Sequence, residues 1–285
     1  MYYRRVGDVP RKRHTQHRDA AGGLYAEELM GEEGFSSDSS LLYHRGLPSA
    51  MVDATPWTPG DLSTTVNQPL LPRHLALHTL FPANEWKAAD PVTSRRLVLG
   101  NDDVRISYVA AGEASPLYRN AVGDECVFVE AGDAEVETVF GALSVTAGDY
   151  LVLPRATTHR WVPSGDGPLR CYVIEANSHV RPPERYLSRF GQFLETAPYC
   201  ERDLGAPDTP LVVDGAARWR CWSSTATRAG ASPARATSCP PTPSTSSAGT
   251  AASTPTGSPS PTSSRSPDGC TSPLWCTRSS RRRAS

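Results

Sequence analysis

Histidine and serine clusters are the first places to look for chemistry in this 285-residue chain. All seven histidines fall within residues 1–215. His74 and His78 are spaced i, i+4, which on a helix would put both imidazoles on one face and could offer two ligands to a metal. Pro72 and the leucines around them favour a packed strand or a short helix instead. His14 and His17 lie in the basic run Arg11-Lys-Arg-His-Thr-Gln-His-Arg18, a candidate phosphate contact. Nucleic-acid platforms interleave such charges with aromatic rings, and this run has none, so it reads as a solvated or intersubunit arm. Gly34-Phe-Ser-Ser-Asp-Ser-Ser40 is rich in hydroxyls. No His or Asp stands near it in a triad pattern, and the hydroxyls read as turn and cap acceptors. Cys126, Cys171 and Cys200 are odd in number and widely spaced, which suits buried free thiols better than a disulfide framework.

The elements that must position these groups are short strands. β-type runs are expected at Arg96–Leu99, Val104–Ala110, Glu125–Val129, Ala134–Val139, Leu143–Val145, Tyr150–Leu153 and Leu169–Glu175. Turn signals such as Gly100-Asn-Asp102, Ala131-Gly-Asp133 and Ala147-Gly-Asp149 separate them. Strands at this spacing predict an all-β sandwich or barrel. Residues 1–50 are polar and weakly periodic, and read as an extended arm with one short helix at Tyr25–Met30. A second helical turn is expected around Glu184–Arg189.

Composition changes abruptly near Asp214–Gly215. Residues 216–285 contain 17 Ser, 11 Thr, 11 Ala, 9 Pro and 9 Arg, one Leu, and no Val, Ile, Phe or Tyr. Such a tail buries too little apolar surface to offset its ordering entropy, so disorder is expected there. The tail carries nine Arg against one Asp (+8), which leaves 20 basic and 29 acidic residues (−9) in the body. The arginines are scattered, which argues against a nucleic-acid arm. No 18-residue apolar stretch and no signal-peptide core are present, so the expectation is a cytoplasmic protein without a membrane partner. The domain plan is an arm at 1–50, a folded domain at 51–215 and a tail at 216–285.

The strand region resembles the cupin family. Gly148, Pro154, Ala156 and His159 follow the spacing of its second motif, with Ala156 where glycine is usual. Glu125-Cys-Val-Phe-Val-Glu-Ala-Gly132 is similar to the strand and turn of the first motif. The resemblance implies that metal-binding members would carry two histidines near Tyr118 and Asn120. Only Glu125 and His159 remain of four expected ligands, so the expected fold is a degenerate, metal-free cupin-like β-sandwich or barrel. His159 is then expected as a structural, hydrogen-bonding histidine.

A sharper likeness lies in the first 50 residues. Tyr2-Tyr-Arg-Arg-Val-Gly-Asp-Val-Pro-Arg-Lys-Arg-His-Thr-Gln-His17 and Gly34-Phe-Ser-Ser-Asp-Ser-Ser-Leu-Leu-Tyr-His44 resemble the amino terminus of the homogentisate 1,2-dioxygenase family in its bacterial form. Pro72-Arg-His74 and Gly148-Asp-Tyr-Leu-Val-Leu-Pro154 extend the likeness, which ends near residue 215. It implies an Fe(II)- and O2-dependent opening of homogentisate to maleylacetoacetate in tyrosine and phenylalanine catabolism, by hexamers. The family's iron ligands, two histidines and a glutamate, lie in the carboxy-terminal part of a longer chain. No catalytic, cofactor-binding or metal residue can therefore be assigned here, and no iron is expected on the chain as written.

The tail composition is also what GC-rich coding DNA yields out of frame. Read one nucleotide earlier with third bases free, the codons of Thr245–Thr256 permit Asp-Val-Val-Gly-Trp-Asp-Gly-Cys-Leu-Tyr-Pro-Tyr. Neighbouring stretches likewise regain aliphatic and aromatic residues. The expectation is a single-nucleotide frameshift near codons 214–217, leaving a truncated, inactive and aggregation-prone product. The alternative is a metal-free cupin binding or assembly module with a genuine Ser/Thr/Pro tail.

Overall fold

A computed structural model of the chain describes residues 16–31, 39–44, 46–47, 53–56, 61–82, 84–208 and 211, together with three short strands in the tail. The strands in chain order are β1 (Ala26–Gly31), β2 (Ser39–His44), β3 (Asp53–Pro56), β4 (Arg96–Gly100), β5 (Val104–Ala111) and β6 (Leu117–Asn120). They continue with β7 (Asp124–Ala131), β8 (Asp133–Thr138), β9 (Gly141–Val145), β10 (Tyr150–Leu153), β11 (Thr158–Ser164) and β12 (Leu169–Ala176). The last four are β13 (Leu204–Gly205), β14 (Trp219–Ser224), β15 (Arg235–Cys239) and β16 (Trp275–Thr277).

Alternation of side chains assembles these strands into two layers. One seven-stranded sheet runs β13-β16-β10-β7-β12-β5-β4, and a second runs β3-β15-β14-β6-β11-β8-β9. The inner face of the first contributes Val127, Val129, Leu151, Leu153, Cys171 and Val173 to a single buried cluster. The second answers with Tyr118, Ala134, Val136, Val145 and Trp161. On β8, Ala134 and Val136 are buried while Glu135 stays in solvent, the period-2 pattern of a sheet with one wet face. Each fully buried valine or leucine contributes on the order of 2 kcal/mol through removal from water. The fold is that of a cupin, all-β as the sequence predicts.

The tight turn between β7 and β8 explains one glycine. Gly132 has φ +80°, and a Cβ there would sit 2.8 Å from the Pro168 carbonyl oxygen. Only glycine meets both demands.

Several expectations are corrected. The helix expected at Tyr25–Met30 is instead β1, paired antiparallel with β2 in a separate two-stranded sheet, with Leu29 opposite Leu41. The good helix formers Ala26, Glu27, Glu28 and Leu29 are overridden by that pairing and by a burial pattern that alternates along much of β1. Only one 3-10 turn, Glu184–Tyr186, forms where a longer helical segment is expected. His74 and His78 do not pack. Both are exposed, one before and one within the 3-10 turn Leu77–Leu80. β6 and β11 are absent from the sequence reading. The three body cysteines are free, with Cys171 buried but Cys126 and Cys200 only half-buried.

The expected disorder of the tail falls mostly on residues 225–234, 240–274 and 278–285, outside the described residues, and His14 lies outside them too. Within the tail β14 runs parallel to β6, and β16 pairs with β10. Among the described residues no helix is long and apolar enough to cross a membrane.

Candidate functional site

Strand register brings together the residues that the cupin resemblance singles out. His159 on β11 lies directly opposite Tyr118 on β6, and their rings meet edge to face at 5.5 Å. Two residues along β6, Asn120 donates from Nδ2 to Glu125 Oε1 at 3.0 Å. Glu125 and His159 are each 1% exposed. Tyr118, Asn120, Glu125 and His159 thus form one buried cluster between the two sheets.

Two further groups, Arg95 and Glu175, complete the cluster and are not apparent in the sequence. Glu125 on β7 pairs in register with Glu175 on β12, placing two carboxylates side by side. Arg95 lies between them. Its Nη2 donates to Glu125 Oε2 at 2.9 Å, and its Nη1 is 3.6 Å from Glu175 Oε1. Arg105, opposite Glu175 on β5, adds a contact of 3.2 Å to Glu175 Oε2. The Arg95 guanidinium also sits 5.5 Å from the centre of the Tyr118 ring.

Arg95 is held by the turn that precedes β4. Asp90 Oδ1 accepts the backbone N–H groups of Val92 and Thr93, each at 2.9 Å, and shapes that turn. Arg95 then donates from Nε back to the Pro91 carbonyl at 2.9 Å. A charged side chain fixed by its own local turn loses little further entropy when it pairs with Glu125.

The electrostatics follow from burial and this guanidinium. Burial pushes the Glu125 carboxyl up. Arg95, His159 and the hydrogen bonds from Arg95 and Asn120 outweigh it and hold the group below its ordinary value. Glu175 moves the other way, raised by burial and by its neighbour Glu125 against the pull of Arg95 and Arg105. Burial disfavours charge on Arg95, yet the two carboxylates hold its proton more tightly than usual. His159 is pulled down by burial, which outweighs the opposing pull of Glu125 and the Thr157 carbonyl, with Arg95 adding the smallest contribution in the same direction as burial. The imidazole is therefore neutral near pH 7. Its Nδ1 lies 3.0 Å from the Thr157 carbonyl oxygen, which can only accept, so Nδ1 carries the proton and Nε2 a lone pair. That buried Nε2 has no hydrogen-bond partner among the described residues.

A cupin metal ion does not fit this cluster. The positions where histidines would be expected hold a phenol and an amide, and the carboxylate that would serve as ligand is bonded to Arg95. Among the described residues no three His, Cys, Asp or Glu side chains are grouped so as to hold an ion.

Around the cluster, Asp124 ties down the loop that leads into β11. Its Oδ1 accepts the Arg155 N–H at 2.8 Å, and its Oδ2 accepts the Val180 N–H at 2.7 Å and meets His179 Nδ1 at 2.9 Å. His179 is thus a partner of a carboxylate at the rim. Of the hydroxyl-rich run, residues 34–38 lie outside the described residues, while Ser39 and Ser40 start β2 and the buried Ser40 Oγ meets no hydrogen-bond partner among the described residues, which corrects the turn or cap role expected for it.

Fold and cluster define a cupin-type protein, and comparison with known sequences agrees. Residues 105–175 match the family model described as the cupin domain. The chain is 33% identical over 209 residues to a protein of Saccharolobus solfataricus named as a dioxygenase, covering 73% of this chain and 52% of that one. It is 25% identical over 207 residues to the homogentisate 1,2-dioxygenase of Emericella nidulans, covering 60% of this chain and 41% of that one. The chain thus spans about half the length of the curated relatives it matches. Among solved structures, a cupin-2 domain protein of Shewanella frigidimarina is 19% identical, with 29% of this chain and 79% of that one covered at a TM-score of 0.27.

Proposed function

We propose that residues 1–215 are the amino-terminal part of a homogentisate 1,2-dioxygenase and that residues 216–285 are an out-of-frame reading of its continuation. In this reading the complete protein is an oxidoreductase that opens homogentisate to maleylacetoacetate with Fe(II) and O2. Iron would supply oxygen activation from residues in the half of the relatives' length that this chain does not match. The part present here contributes packing and assembly, within a homo-oligomer that the family resemblance puts at a hexamer. The observation that carries this reading is the likeness to dioxygenase-named proteins of about twice the matched length. It is supported by a barrel whose buried cluster is closed by Arg95 rather than arranged for a metal.

The test compares two purified proteins, the 285-residue chain and a chain continued one nucleotide earlier from codons 214–217. Homogentisate-dependent oxygen uptake and iron content are measured for both. The expected result is no uptake by the first, with uptake and about one iron per subunit for the second. Uptake by the 285-residue chain that disappears in His159→Ala would overturn the reading and put the chemistry inside this barrel.

A further inference from the structure

Residues 62–84 are the longest run without Asp or Glu in a body whose charges sum to −9. Residues 61–76 form no strand or helix, yet they display Val66 at 81% and Leu70 at 86% exposure, with Leu71 and Leu75 also exposed. Asn67 Oδ1 accepts from Arg73 Nε at 3.0 Å and Nη2 at 2.8 Å, closing a loop with Leu70 and Leu71 in its middle. Both ends of the segment meet one edge of the first sheet. The Thr64 methyl lies beside Gly100 at the end of β4, and Phe81 packs on Tyr108 of β5 with ring centres 6.2 Å apart. Phe81 begins an aromatic row. Register sets Tyr108, Tyr172, Phe128 and Tyr150 side by side on β5, β12, β7 and β10, with successive ring centres 5.1, 6.1 and 4.8 Å apart. Their strand neighbours Val127, Leu151 and Val173 face the core, so the row lies on the outer face. It runs from buried Tyr108 through half-buried Tyr172 and Phe128 to exposed Tyr150. Exposed Glu130, on the same face, accepts the Tyr108 hydroxyl at 2.5 Å.

We propose that the 67–73 loop of one chain docks on the Tyr172, Phe128 and Tyr150 row of a second copy, and reciprocally, in a twofold dimer. The two surfaces complement each other. The loop offers exposed leucines beside Arg73 and His74, and the row offers ring faces beside Glu130. A loop already closed by Asn67 and Arg73 loses little entropy when it docks. Packing loop on loop would instead bring Arg73 against its own copy. The chain's tail, with nine Arg against one Asp, carries the same sign as the loop and is no counterpart for it. Loop and row belong to one side of the barrel, joined at Phe81, so a twofold axis lets each chain give one contact and receive the other. Two bodies of net −9 would otherwise repel, and the acid-free segment is where they meet at least cost. The inference extends the assembly role in the proposed function and rests on it only for the expectation of a homo-oligomer. Its readout is association, so its failure leaves the oxygen-uptake result standing.

Sedimentation velocity on the full 285-residue chain across a concentration series reads the association. Wild type should reach a species of twice the 30.7 kDa mass of one chain. Leu70→Ser/Leu71→Ser should weaken association by at least about 100-fold, since two leucines from each chain leave the interface. Tyr150→Ser should weaken it as well. Both variants should keep the wild-type far-UV circular dichroism, because the altered side chains are exposed. Leu70→Ser alone, at the most exposed leucine, repeats the measurement should the double variant lose its fold. Mixing the leucine variant with the Tyr150 variant tests reciprocity. The mixed dimer keeps one intact contact, the loop of the Tyr150 variant on the row of the leucine variant, so it should associate more tightly than either variant alone. A monomeric wild type, the outcome if a different partner covers the loop, overturns the proposal. Association that either variant leaves unchanged overturns it too, as does a mixture no tighter than its components, the result that loop-on-loop packing would give.

Discussion

Ala156 donates its backbone N–H to the Asn120 carbonyl at 2.6 Å from a left-handed conformation, with φ +65°. That bond joins the turn before β11 to the end of β6, and so fixes His159 against Tyr118. An L-residue with a Cβ pays roughly 1–2 kcal/mol for this conformation. Glycine adopts it freely, although it gives back part of the gain through the entropy of the unfolded chain. Ala156→Gly should therefore stabilise the fold, by about 0.5–1 kcal/mol. Urea unfolding of the two proteins checks this, and a destabilised glycine variant would show that the strain is not there.

Asp124 offers a larger effect in the opposite sense. Its two oxygens accept two backbone N–H groups, from Arg155 and Val180, and face His179. Asp124→Asn replaces one acceptor oxygen with an NH2, which must then confront a donor in a buried place. The expected loss is about 2–3 kcal/mol, the cost of a buried donor left unmet next to a lost charge-assisted bond. Equilibrium unfolding that shifts by less than about 0.5 kcal/mol would mean the loop is anchored elsewhere.

The sequence showed the barrel better than it showed its contents. Tyr150–Leu153 is expected and found with the same ends, because four apolar residues between turn signals leave little choice. β11 is missed because Thr158, His159, Arg160, Pro163 and Ser164 dilute its apolar pattern, yet Trp161 anchors it in the core. The helix expected at Tyr25–Met30 fails for the opposite reason, since its local preference is real but β2, further along the chain, supplies a partner. Glu125 and His159 were legible from motif spacing. Arg95 was not, because it lies outside any motif and acts only through a cross-strand register that puts Glu175 beside Glu125. A charged residue near the end of the otherwise largely apolar run Cys171-Tyr-Val-Ile174 was the one signal available for Glu175.

Thiol chemistry distinguishes the body cysteines. Cys171 is 1% exposed, and burial pushes its thiol up to about 12. The thiolate is the reactive form, so iodoacetamide should leave Cys171 unmodified in the folded protein at about pH 8 and label it after unfolding in urea. Cys200, half-buried on the segment that follows Tyr199, should be labelled in the folded protein. Peptide mapping reads both sites, and native labelling of Cys171 would show that the inner face of β12 opens.

His159 should give the fold a recognisable dependence on pH. The groups facing it are Glu125 on β7, Arg95 before β4, and Tyr118 on β6. Burial and Arg95 depress its pKa in the folded state, while in the unfolded chain it titrates near the ordinary value of about 6.5. Below that pH the unfolded chain binds a proton that the folded imidazole refuses. Stability contributed by the neutral ring is therefore present above about 6.5 and is lost as pH falls toward the folded value, with a limiting slope of about 1.4 kcal/mol per pH unit. His159→Phe keeps a ring against Tyr118, removes the unpartnered Nε2 and cannot titrate. Its stability relative to wild type should rise as pH drops from about 7 to about 5.5, a range above the ordinary carboxylate value, below which Arg95 holds Glu125 in the wild type. Urea midpoints at about pH 7, 6.25 and 5.5 measure the difference. Parallel profiles for the two proteins would mean that the folded imidazole accepts the proton after all, with Glu125 rather than burial governing its charge.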